Sequence, residues 1–161
     1  MKNKLLLNSS IIIAIYVVLC LILEPISFGI IQFRVSEILC LLSIKYRYAI
    51  VANCLGCLIS NITLGGLGII DAIVGSFATF LACEFAYLLR NKKYKNLPIL
   101  SGLAIVITNG IIVGIELGIL TNNTNVIPIT IIEITISEFI VIMIIGMPIY
   151  NKLIKTINNK A

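Results

Sequence analysis

Arg90-Asn-Lys-Lys-Tyr-Lys95 is followed, after Asn-Leu-Pro, by Ile99-Leu-Ser-Gly-Leu-Ala-Ile-Val-Ile-Thr-Asn-Gly-Ile-Ile-Val-Gly-Ile-Glu-Leu-Gly-Ile-Leu120. Four cations thus precede an apolar run of 22 residues. At 1.5 Å per residue such a helix reaches across a hydrocarbon core of about 30 Å. The polar tip Thr121-Asn-Asn-Thr-Asn125 turns it, and a second apolar run, Val126 to Tyr150, returns the chain to Lys152 and Lys155.

The same alternation extends outward in both directions. Eleven of the 12 Lys and Arg residues fall in four clusters: Lys2/Lys4, Lys45/Arg47, Arg90/Lys92/Lys93/Lys95 and Lys152/Lys155/Lys160. Cations gathered at every second turn mark the cytoplasmic side of a multi-pass membrane protein. Both termini and two loops are therefore expected in the cytoplasm, with three hairpin tips outside. Arg34 is the one cation left on the outer side, where it requires a partner or a ligand.

Composition agrees. Apolar residues make up 60%, charged residues 12%, and the mean hydropathy is +1.12. The 161 residues accommodate about six spans of roughly 20 residues and no further domain. The expected fold is one all-α integral membrane unit, residues 1–161, in the cell membrane. The basic Met1–Asn8 start resembles a signal peptide. Without a small-residue cleavage site before Glu24, it reads as a retained first span. The net charge of +5 lies on the cytoplasmic rim, where anionic lipid accounts for it without nucleic acid.

The first span runs from Leu5 to Leu23 and stops at Glu24-Pro25; Ser10 and Ala14 form a small-xxx-small pair on it. The second is short of apolar length and ends near Ile44, so part of its approach must dip inward or pack on protein. The third and fourth, Tyr48–Leu64 and Ile69–Leu89, are joined by Leu64-Gly-Gly-Leu-Gly68. No Lys follows these glycines, so they form a hairpin rather than a phosphate loop. In the fifth span, Gly110, Gly114 and Gly118 recur every fourth residue and offer a smooth face to a neighbour. The sixth, Val126–Tyr150, carries Gly146-Met-Pro148 near its inner end. No internal repeat is visible.

The five cysteines lie in apolar segments. Cys54-Leu-Gly-Cys57 has redox or metal-pair spacing, but without His or a second pair, packing is the favoured reading. The absence of His removes the usual general base, and no Gly-x-x-x-x-Gly-Lys-Ser/Thr segment holds nucleotide phosphates. No catalytic or metal residue is assigned, and the chain is read as a non-enzyme without a cofactor.

Counting from the cation clusters places Arg34, Glu37, Asn61, Asp71, Glu116 and Glu133 in the outer half, with Asn109 and Glu138 nearer the midplane. Only Glu84 is clearly inner. A charged carboxylate at the bilayer centre costs about 2.5–3.5 kcal/mol on insertion scales, so Glu138 and Glu116 must face a cavity or a partner. Asn109 and Glu116 share one helix face, and Arg34 and Glu37 are spaced to pair across a turn. Asp71 reads either as a site residue or as an acid at a helix N-terminus, and Glu133 is near enough to the boundary to be solvated. Several acids with one cation suit a ligand rich in N–H donors, such as the edge of a guanine-like base. A proton- or cation-coupled carrier using Glu138 or Glu116 is the alternative.

At Gln32-Phe-Arg-Val-Ser-Glu37 the chain resembles the QueT family, substrate-binding S components of energy-coupling factor (ECF) importers. The likeness continues through Gly56–Asn61, Gly65–Asp71, Gly75–Thr79, Asn109–Glu116 and Glu138 to Pro148. The resemblance implies a six-helix S-component bundle that takes up queuosine precursors, 7-deazaguanines such as preQ0, preQ1 or queuine, from outside. It also implies a loop between the first two helices that closes over the substrate, here Glu24 to Gln32 with Gly29 as hinge. Energy would come from partners, a transmembrane coupling subunit and two ATPases that hydrolyse ATP. Ser10 and Ala14 match the docking position for that subunit, with Ser where Ala is more usual. The expected substrate residues are Arg34, Glu37, Asn61, Asp71, Asn109, Glu116 and Glu138, with Arg34 orienting Glu37.

Overall fold

The structure, a computed structural model, describes residues 2–29, 32–65, 67–95, 97–121 and 124–159. Residues 30 and 31 of the expected closing loop, 66 of the glycine hairpin, 122 and 123 of the polar tip, and the last cluster cation at 160 lie outside these. Among the described residues every regular element is helical. They are α1 (Lys2–Ile22), α2 (Glu24–Ser27), a 3-10 helix (Val35–Ile44), α3 (Tyr48–Leu64), α4 (Ile69–Leu88) and α5 (Ile99–Leu120). A 3-10 turn (Thr124–Val126) leads to α6 (Ile127–Phe139), a π-helical stretch (Ile140–Gly146) and α7 (Met147–Asn159).

Four helical stretches are long and apolar enough to cross a membrane: Asn3–Ile22, Ile69–Leu88, Ile99–Leu120 and Ile127–Ile157. Val35–Ile44 and Tyr48–Leu64 are apolar but shorter. The winding of Val35–Ile44 offsets part of its shortness. Ten residues of 3-10 helix cover about 20 Å, against about 15 Å for α-helix. Its Ser36, Glu37, Cys40, Leu41, Ser43 and Ile44 are buried, so this short apolar helix is packed on protein.

The last span is longer than its sequence pattern predicts. Helix continues past Tyr150, to Asn159, although the chain turns amphipathic there with Asn151, Lys152 and Lys155. Pro148 lacks the N–H that would bond the Ile144 carbonyl, and the helix widens into π geometry just before it, absorbing the mismatch.

Two close approaches set the packing. Among the described side chains of α1 only the stripe Ile12, Tyr16 and Cys20 is buried, and it leans on α3. A Cβ at Gly56 would come 2.8 Å from the Tyr16 Cβ, so Gly lets the two helices touch. The glycine face of α5 meets α6, where a Cβ at Gly114 would lie 2.5 Å from the Ile131 Cα. Thr130 Oγ1 donates to the Gly114 carbonyl at 2.6 Å across that seam. This is the contact the four-residue spacing predicts.

The halves differ in character. Toward the cation clusters, Leu41, Ile44, Ile50, Ala82, Ala86, Ile105, Val106, Val141 and Ile142 form one apolar core. Toward the other end the interior holds Arg34, Glu37, Asn61, Asp71, Asn109 and Glu138. Outside, Ile11, Ile15, Val51, Ile62, Ile73, Phe77, Ile107, Ile132, Ile136 and Ile144 are exposed, a belt suited to lipid rather than water. The protein is an all-α membrane protein.

Candidate substrate site

Glu37 lies in the first turn of the Val35–Ile44 helix and is 1% exposed. Its Oε1 accepts hydrogen bonds from Tyr16 Oη at 2.5 Å and Thr79 Oγ1 at 3.3 Å. Its Oε2 accepts from Cys40 Sγ at 2.9 Å and Asn109 Nδ2 at 3.4 Å. These donors come from α1, α4, the 3-10 helix and α5. A buried carboxylate is costly unless its lone pairs are engaged, and here four elements engage them. Glu37 therefore ties the polar half of the bundle together.

Arg34 takes a different route from the expected pairing. Its backbone is extended (φ −88°, ψ 90°) at the cap of the 3-10 helix. From there the side chain passes under the Phe28 ring, with the guanidinium 5.2 Å from the ring centroid, and Nη1 donates to Cys57 Sγ at 3.5 Å. Among the described residues it makes no ion pair with Glu37, and Nε and Nη2 have no hydrogen-bond partner. The helical spacing rule fails because Arg34 stands just outside the helix that carries Glu37.

Arg34, Glu37, Asn109 and Glu138 nevertheless line one small cavity, of about 10 Å³, with Gln32, Thr79, Val113 and Ile134. Its polar atoms are both donors and acceptors. Besides the Arg34 nitrogens, Gln32 Oε1, Asn109 Oδ1 and Glu138 Oε2 are buried without a partner. Above it opens a larger chamber, of about 470 Å³, bordered by Phe28, Gly29, Leu117, Thr130 and Glu133. Gln32 and Ile134 belong to both linings, so they form the partition. Gln32 has φ +44°, a left-handed conformation rare outside glycine. The Ser137 hydroxyl helps hold it by donating to the Gln32 carbonyl at 3.2 Å.

Asn61 and Asp71 sit beside this cavity rather than in its wall. Asn61 Nδ2 donates to the Asp71 carbonyl at 3.2 Å. A Cβ at Gly75 would come 2.7 Å from Asn61 Nδ2 and 3.9 Å from both Arg34 Nη1 and Asp71 Oδ1, so the three polar groups converge on that glycine. Asp71 is in the first turn of α4 but 1% exposed, so it is not a water-facing helix-end acid. Glu116 lines a different cavity, although its carboxylate is close enough to Asp71 and Arg34 to interact with both electrostatically. It borders an apolar groove between α4 and α5, about 340 Å³, beside Ile70, Val74 and Ile115, and neither carboxylate oxygen has a partner. Glu133 is half-buried and borders the larger chamber.

The model of a protein family described as the QueT transporter matches residues 6–155. The chain belongs to the QueT transporter family. No curated protein and no solved structure matches it. Membership assigns a transport role in a membrane, and the interior of this QueT chain divides accordingly, with polar groups gathered at one end of the bundle. Sequence reasoning missed three residues of the site. Thr79 and Gln32 lie inside the stretches that carry the resemblance, yet neither residue type draws attention alone. Tyr16, within an apolar helix, is distinguishable only by its hydroxyl, which a buried tyrosine must place on a partner.

Ser10 and Ala14 are exposed. The small pair on α1 therefore does not serve packing within the bundle.

Proposed function

We propose that this chain is the substrate-binding S component of an ECF-type importer and that it binds a 7-deazaguanine queuosine precursor from outside. The observation that carries the reading is the polar cavity whose walls offer unpartnered donors on Arg34 facing unpartnered acceptors on Asn109 and Glu138. A guanine-like edge places an N–H and an exocyclic amine beside a carbonyl oxygen. Glu138 and Asn109 would take the two donors, and Arg34 the carbonyl. Glu37, already engaged by four protein donors, would position Asn109 and Thr79 rather than read the base. Asn61 and Asp71 would hold Arg34 from behind.

A chamber of about 10 Å³ has room for about one water molecule, so a base must displace the partition at Gln32. The Glu24–Gln32 loop is the segment that would move and then close, with Gly29 as hinge. A Cβ at Gly29 would meet the Pro25 carbonyl at 2.5 Å. Delivery inward would use a transmembrane coupling subunit docked on Ser10 and Ala14, with two partner ATPases supplying the energy and no cofactor in this chain.

One observation favours a second reading, a self-sufficient proton- or cation-coupled carrier. Glu116, buried and unpartnered beside an apolar groove, is the kind of acid a coupling ion visits. Uptake of labelled preQ1 by cells expressing this chain with and without an energising module separates the two. Uptake only with the module is expected; equal uptake without it would give the role to the carrier.

A further inference from the structure

A further concave site lies at the end of the bundle that carries the cation clusters. Lys45, after the 3-10 helix, and Arg90 and Lys93, between α4 and α5, surround a cavity of about 330 Å³. Asn91, Asn151 and Tyr150 complete its polar lining, and among the described residues no carboxylate belongs to it. The volume falls in the usual range for small-ligand sites, roughly 300–1,000 Å³.

Arg90 is fixed before any ligand arrives. Nη1 donates to the Tyr87 carbonyl at 2.8 Å, and the guanidinium lies 3.9 Å from the Tyr87 ring centroid. Arg47 approaches the same ring at 5.7 Å. A guanidinium has five N–H donors, so the Tyr87 carbonyl leaves most of the fork available. A planar fork flanked by a lysine ammonium and amide donors matches the oxygens of a phosphate. Two features go beyond the general cationic rim of a membrane protein. The cations come from separate segments and converge on one concavity, whereas Lys152 and Lys155 of the neighbouring cluster are exposed and outside it. The cavity also has an apolar wall, Ile44 and Ile154, which suits the glycerol and upper acyl carbons of a lipid.

We infer that this cavity binds the headgroup phosphate of an anionic phospholipid from the inner leaflet. A zwitterionic headgroup would bring its own cation beside Arg90 and Lys93, with no carboxylate among the described lining residues to receive it, so phosphatidylglycerol is favoured over phosphatidylethanolamine.

Native mass spectrometry of the full chain, extracted in mild detergent from membranes holding both lipids, tests this. The expected result is selective retention of one phosphatidylglycerol, reduced roughly tenfold or more in R90Q/K93Q, by loss of two juxtamembrane charges. K93R should keep the lipid, and K152Q/K155Q should retain it as the parent does. The melting temperature of R90Q/K93Q in detergent, expected to be unchanged, separates site loss from misfolding. Equal loss in both double variants, or equal retention of both lipids, would reduce the site to diffuse rim charge and overturn the inference. Protection of Lys93 from amine-reactive labelling by inorganic phosphate, with no lipid retained, would give the cavity to a soluble phosphate and overturn the lipid assignment. Protection only by co-purifying energising subunits would give it to an acidic protein surface, with the same consequence.

Discussion

Tyr16 Oη donates a 2.5 Å hydrogen bond to Glu37 Oε1, joining α1 to the Val35–Ile44 helix 21 positions later. The same α1 carries Ser10 and Ala14 on its exposed side. One helix thus touches the polar site with one face and presents a small-residue face outward. Tyr16→Phe removes a hydrogen bond to a carboxylate, worth about 1.5–3 kcal/mol, and leaves Glu37 with three donors. The expected outcome is a lower melting temperature in detergent together with weaker substrate binding. Thermal unfolding followed with and without substrate checks both.

Docking and binding should separate on α1. Ser10→Trp or Ala14→Trp is expected to abolish uptake and leave substrate binding in detergent nearly intact, because neither residue lies in the polar interior. Paired uptake and binding measurements decide it. Loss of binding in both variants would place α1 in the substrate site instead.

The α5–α6 seam depends on the absence of a side chain. In Gly114→Val the new Cβ would meet the Ile131 backbone, which cannot swing aside as a flexible side chain does. Overpacking of this kind costs about 1–3 kcal/mol. Reduced thermal stability and lower yield of monodisperse protein are expected, with Gly114→Ala affected less.

Much of this arrangement is legible in the chain. Apolar length and clustered cations require a helical membrane protein, because no other open structure satisfies its backbone in lipid. Gly110, Gly114 and Gly118 predict a close helix contact, and α6 supplies it. The position of polar residues along each apolar run separates a polar half from an apolar half next to the cation clusters. What the runs do not encode is the rotation and winding of each helix. Glu116 shares a helical face with Asn109 in sequence, yet lines a different groove. Arg34 and Glu37 have pairing distance in sequence, yet the chain leaves Arg34 outside the 3-10 helix and sends it to Cys57. Thr79 and Tyr16 join the site only because α4 and α1 converge on one carboxylate, a tertiary fact with no local signal.

Topology gives an independent test. In a background with the five native cysteines replaced, Lys93→Cys and Thr121→Cys should label from opposite sides, Lys93 from the cytoplasm and Thr121 from outside. Labelling of both from one side would contradict an odd number of crossings between them and, with it, the six-span reading.

Glu116 and Glu138 should behave differently on neutralisation. Glu138 lines the polar cavity, whereas Glu116 faces the α4–α5 groove. Glu116→Gln, which alters the field at Arg34 and Asp71 without removing a wall of the polar cavity, is expected to weaken deazaguanine binding less than Glu138→Gln does, measured by equilibrium binding. A loss equal to that of Glu138→Gln would bring Glu116 into the base-reading set.

The most direct test of the central claim is calorimetric titration of the purified chain with preQ0, preQ1, queuine and guanine, repeated on Glu138→Gln. The account predicts that at least one deazaguanine binds more tightly than guanine. It further predicts that Glu138→Gln weakens that binding by about ten- to a hundredfold, the value of a charge-assisted hydrogen bond to a buried base edge. Binding of none of the deazaguanines by the parent, or binding by Glu138→Gln as tight as the parent's, would contradict it.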